Sequence, residues 1–149
     1  MKIAIASDHR GIKIKEEIKR YLEEKNIQYE DFGTNSEERM DYPEVAKKVA
    51  KEIQKNSDDI GILICGTGFG MCITANKFKH IRCTTCYNEE TAKMARMHNN
   101  ANILALGAEG LSTNEAIKIL RMFLATEFSG GRHSERLKMI EDIENENMK

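Results

Sequence analysis

The chain has 149 residues, 40% of them hydrophobic and 32% charged, which suits one globular domain over residues 1–149 and is too apolar for a disordered chain. Its 23 Lys and Arg against 24 Asp and Glu leave a net charge of −1, which argues against a basic face for nucleic acid. No apolar run approaches the ~18 residues that span a bilayer, the N-terminus makes a poor secretion signal, and Cys65, Cys72, Cys83 and Cys86 crowd the middle third; a reduced, cytoplasmic protein is expected.

In chain order, Lys2–Ala6 reads as a short apolar strand. Ile12, Ile14, Ile18, Tyr21 and Leu22 then recur at helical spacing. Residues Ile27–Phe32 form a second strand candidate, closed by Gly33. Tyr42-Pro43 opens a helix, with proline in its first turn and Val45, Ala46, Val49, Ala50 and Ile53 on its apolar face. Ile60–Ile64 is a continuous apolar run, as in a strand buried on both faces of a parallel sheet. A glycine-rich turn and a helix from about Met71 to Phe78 follow, then a strand over Arg82–Cys86 and a helix over Glu89–Met97. Asn102–Gly107 is the fifth strand. Ser112 or Thr113 caps a helix that turns Ala116, Ile117, Leu120, Phe123 and Leu124 inward. After Gly130-Gly131 a charged helix covers about Ser134 to Ile143, and its tail is expected to fray. Strands alternating with helices predict an α/β, Rossmann-like doubly wound five-stranded parallel sheet, with helices on both faces and an extending C-terminal helix. That last helix carries few apolar residues, which fits either a solvated helix or one packed on a second subunit.

In such a sheet ligands bind beyond the carboxyl ends of the strands. Those positions hold Ser7-Asp8-His9-Arg10-Gly11 and Cys65-Gly66-Thr67-Gly68-Phe69-Gly70, while His98-Asn99 closes a helix and Arg132 to Arg136 opens the last one. The glycine loop suits an anion or oxyanion, or is simply a tight turn. It is not a dinucleotide loop, because Met71 stands where the third glycine belongs, and no Gly-Lys-Ser/Thr makes it a Walker loop. Cys65 heads the loop, where a helix N-terminus favours a thiolate as nucleophile or base; a small buried hydrophobe is the alternative. Arg132 and Arg136 share a helix face and form either a phosphate clamp or two solvated charges. Cys83 and Cys86, with Cys72 and His80, sketch a zinc site, but residues three apart on a strand face opposite ways. Asp8 and His98 are weak signals singly, as a cap and a helix-ending imidazole. His133 is expected to point away from the site.

Together, Ala6-Ser7-Asp8-His9, Asp31-Phe32-Gly33-Thr34, Asp41-Tyr42-Pro43, Cys65-Gly66-Thr67-Gly68 with Gly70-Met71, Ala75-Asn76-Lys77, His98-Asn99 and Gly130-Gly131-Arg132-His133 resemble the type B ribose-5-phosphate isomerase family. That family also holds galactose-6-phosphate and allose-6-phosphate isomerases. The resemblance implies an aldose–ketose isomerase of phosphosugars, with ribose 5-phosphate to ribulose 5-phosphate the expected reaction, needing no metal or other cofactor, and a homodimer or tetramer with active sites shared between subunits; a six-carbon phosphosugar isomerase and a non-catalytic sugar-phosphate-binding module are the alternatives. It implies that Cys65 is the base at C2, in the thiolate branch of the family rather than the branch with Glu at the place of Met71. It implies that His98 is the acid that helps open the ring, that Asp8 and His9 bind substrate, and that Arg132 and Arg136 hold the phosphate. The amides of Gly66, Thr67, Gly68, Phe69 and Gly70, with Thr67 and Asn99, would hold the enediolate oxygen. One position departs: Glu109 stands where many relatives carry a phosphate-binding Arg. Weaker phosphate affinity, or a sugar of different length, is the expectation there.

Overall fold

The computed structural model describes residues 1–148. The order is β1 (Ile3–Ser7), a 3-10 turn (His9–Gly11), α1 (Ile12–Glu24), β2 (Tyr29–Asp31), α2 (Tyr42–Lys55), β3 (Ile60–Cys65), α3 (Phe69–Ala75), β4 (Cys83–Thr85), α4 (Glu89–Asn99), β5 (Ile103–Gly107), α5 (Thr113–Ala125) and α6 (Arg132–Asn147). All strand pairs are parallel, in the order β2-β1-β3-β5-β4. The expected doubly wound architecture is therefore the observed one.

Burial explains the layers. Every residue of β1 and β3 is buried, which accounts for their unbroken Ile, Leu and Ala runs. One core joins Ile3, Ile5, Ile62 and Ile64 to Ile14, Ile18 and Leu22 of α1, Ala92 and Ala95 of α4, and Ile119, Leu120 and Phe123 of α5. The other joins Ala4, Ala6, Leu63 and Cys65 to Val45, Val49 and Ile53 of α2 and to Met71 and Ala75 of α3. Alternate strand residues feed opposite cores, as the pleat requires. Caps close the helices where the polar residues sit: Ser112 Oγ accepts from the Glu115 amide, and Asn88 forms a capping box with Thr91.

Helix ends differ from expectation for local reasons. α3 begins at Phe69, before Met71, because Gly68 turns the chain at a φ of +84°. It stops at Ala75, before Phe78, because the Asn76 side chain pairs with the Cys83 backbone instead, accepting from its N–H at 2.8 Å and donating to its carbonyl at 3.0 Å. α6 begins at Arg132 and extends past Ile143 to Asn147 without fraying. Glu144 near its end accepts from the His80 amide at 2.8 Å, and Lys138 pairs with Asp142 along it. α6 buries none of its own residues, and Met139, Ile140 and Ile143 are exposed.

Candidate active site

The sheet order reverses direction between β1 and β3: the chain leaves β1 toward β2 on one side and β3 toward β4 on the other. The connections after these two strands diverge and leave a crevice at their carboxyl ends. Register sets the two edges level, with Ser7 opposite Ile64 and Cys65 opposite Gly107. A cleft of about 570 Å³ opens there, and Asp8, His9, Cys65, Gly66, Thr67 and Gly70 line it. The predicted strand-end residues thus converge on one cavity.

Asp8 is buried, and its carboxylate accepts from the Arg10 amide at 2.9 Å, which tightens the 3-10 turn. It fills the capping role and lines the cleft as well. Cys65 is only 4% exposed, at the cleft floor. The Gly68 amide donates to its Sγ at 3.1 Å, and the Phe69 amide donates to Thr67 Oγ1 at 3.2 Å. Two of the loop amides expected at an oxyanion are therefore engaged within the loop. The left-handed conformation at Gly68 turns the chain from this loop into α3.

The far wall comes from residues that carry no expected role in the site. Arg39, Met40, Asp41 and Tyr42 line the cleft, and the Met40 amide donates to His9 Nδ1 at 3.4 Å. Tyr42 lies against Gly70, where a Cβ would sit 2.3 Å from the ring. The only sequence signal for this wall was the Asp-Tyr-Pro helix start. Glu109 pairs with Arg10 at 2.7 Å across Gly66, both side chains more than half exposed. The carboxylate expected to repel a phosphate is thus set against a guanidinium at the cleft margin.

His98, Asn99, Arg132 and Arg136 do not line this cleft. His98 lies at the end of α4 and stacks on His133 of α6, ring centroids 4.3 Å apart and planes within 15°. His133, expected to point elsewhere, is therefore part of the imidazole cluster. Desolvation, then His98, Arg132 and Arg136, push its imidazole below its usual value, which favours the neutral form. Arg132 and Arg136 stand exposed in the first turns of α6. Within one chain the expected residues form two groups. Cys83 and Cys86 belong to opposite cores, so the C-x-x-C does not gather as a site.

Comparison with known proteins places the chain in a family. The family model described as Ribose/Galactose Isomerase matches residues 3–140. The chain belongs to this family. The chain is 42% identical to ribose-5-P isomerase B of Listeria innocua over 147 residues, covering 99% of each. The ribose-5-phosphate isomerase B structure from Clostridium thermocellum superposes with a TM-score of 0.95 at 44% identity, over 98% of this chain and 99% of that one. The family member from Mycoplasma genitalium, solved with bound ribulose 5-phosphate, gives a TM-score of 0.96 at 44% identity, over 98% and 97%.

Proposed function

We propose that the chain interconverts ribose 5-phosphate and ribulose 5-phosphate through an enediolate. The observation that carries this reading is the Cys65 sulfur at the floor of the switch-point cleft with a backbone N–H aimed at it. Isomerisation needs a base beside a carbon acid and fixed donors for the oxygen that gains charge. Cys65 takes the C2 proton and returns it to C1. Free donors of the Gly66–Gly70 loop, with Thr67, stabilise the enediolate, and Asp8 and His9 hold the sugar. The relative solved with ribulose 5-phosphate supports the choice of sugar.

The division of residues supports a homodimer or dimer of dimers. One subunit brings Cys65, Asp8 and His9; the other brings His98 to open the ring, Asn99 to hold the enediolate oxygen, and Arg132 and Arg136 to bind phosphate. The exposed apolar residues of α6 suit that contact. Among the described residues no helix is long and apolar enough to cross a membrane, and the four cysteines are free, which suits a reducing cytoplasm.

A panel of ribose 5-phosphate, allose 6-phosphate and galactose 6-phosphate, assayed for ketose formation with and without a chelator, tests the reading. Ribose 5-phosphate is expected to lead in kcat/KM by at least about tenfold, the discrimination a pocket draws from one carbon. The chelator is expected to leave the rate unchanged. A faster six-carbon substrate overturns the choice of sugar, and no turnover of any of the three overturns the isomerase. Glu109 is tested separately. Glu109→Arg removes a carboxylate from the cleft margin and frees Arg10, so KM for ribose 5-phosphate should fall about threefold at low salt, less at high salt. An unchanged KM means that this corner does not reach the phosphate.

A further inference from the structure

Lys15 is the one fully buried lysine of the described chain, and the proposed chemistry does not use it. An ammonium survives burial only when its protons are taken up. Here Nζ donates to Asp31 Oδ1 at 3.0 Å, to the Thr34 carbonyl at 2.5 Å and to Asn35 Oδ1 at 3.0 Å. Three protons meet three acceptors. Asp31 is shared: its Oδ1 also accepts from the Gly33 amide at 2.8 Å, and its Oδ2 from Lys19 Nζ at 2.9 Å. Burial pushes the Asp31 carboxyl up, but the Gly33 amide, Lys19 and Lys15 outweigh it and hold it below the usual carboxylate value.

All three acceptors lie at one root of the segment that joins β2 to α2. Gly33 and Thr34 are also tied to β1, where the Ser7 amide donates to the Gly33 carbonyl at 2.8 Å and the Thr34 amide to the Ser7 carbonyl at 2.7 Å. Beyond Asn35 the segment is exposed, and it reaches the cleft only at its far end, where the Met40 amide meets His9. That far end carries Arg39 and Met40 and leads into Tyr42, the outer cleft wall. We propose that Lys15 is a positioning residue: from beneath α1 it anchors the root of residues 33–41, so that the stretch from Arg39 to Tyr42 stays docked on His9 and the cleft keeps its outer wall. The anchor acts on substrate binding, since it touches neither Cys65 nor the glycine loop. Its kinetic consequence rests on the isomerase reading; its effect on the segment does not.

Lys15→Met keeps the length and apolar stem, and Asp31 retains Lys19 and the Gly33 amide, so no buried charge is orphaned. In the full-length protein this variant should raise KM for ribose 5-phosphate about tenfold and change kcat less than about threefold, the pattern of lost uniform binding. Trypsin cleavage after Arg39 in the substrate-free protein should accelerate by about the same factor. Asn35→Ala, on the exposed side of the same anchor, should move both readouts the same way by about threefold. Lys15→Met with parental KM and parental cleavage overturns the proposal, as does a fall in kcat at unchanged KM. Should Lys15→Met not fold, unchanged KM and cleavage in Asn35→Ala overturn it alone. If the parent does not turn over ribose 5-phosphate, the isomerase reading fails, and the cleavage rates still decide the anchor.

Discussion

Cys65→Ala should lose about 10³-fold in kcat for ribose 5-phosphate, the scale set by removing a positioned general base. The substitution deletes one buried sulfur and leaves the backbone of β3 and the Gly68 turn in place. Binding of ribulose 5-phosphate, measured by calorimetry, should change little, because the contacts assigned to sugar and phosphate lie on other residues. Cys65→Ser should fall nearly as far, since an alcohol is intrinsically a far weaker acid than a thiol and does not replace sulfur as the base. Full activity in either variant removes Cys65 as the base and leaves the family relationship without its assigned mechanism.

Gly70→Ala should cost about 10²-fold in kcat/KM while moving the folding free energy by no more than about 1 kcal/mol. The added methyl would stand 2.3 Å from Tyr42 Cζ and 2.6 Å from its Oη. Those atoms are the far end of a side chain already 38% exposed, so the ring can swing toward solvent instead of straining the core. Alanine also suits a helix better than glycine, which offsets part of the clash. The damage then falls on the cleft wall. Tyr42→Ala supplies the internal control, since it removes the clashing ring. The double variant should be no worse than Tyr42→Ala alone, the signature of two changes acting through one contact. Losses that multiply in the double variant show that Gly70 acts independently of Tyr42.

The architecture was legible because period and burial agree. Ile60–Ile64 has no polar interruption, and only a strand covered on both faces needs that. Cys65, Asp8 and the glycine loop were legible because strand ends in this topology face the ligand site. The outer wall was not: Arg39 and Met40 lie in an irregular segment with no periodicity, and their place depends on Lys15, on His9 and on the packing of Met40 against the core of α2 and α3. Lys15 carries no signal of its own on an amphipathic helix, since its burial follows from the β2–α2 segment folding over it. His133, expected to point away from the site, is a similar case. Its stack on His98 joins two helices whose packing no local pattern encodes.

The two walls of the cleft differ in how firmly they are held. The floor is the end of β3, hydrogen-bonded to a neighbour on each side in the middle of the sheet. Amide protons there should be among the last to exchange with deuterated water, since releasing them requires the whole sheet to open. Residues 35–39 are exposed and lie outside the sheet, and should exchange early. The sulfur therefore keeps its aim through any loosening of the exposed stretch beside it.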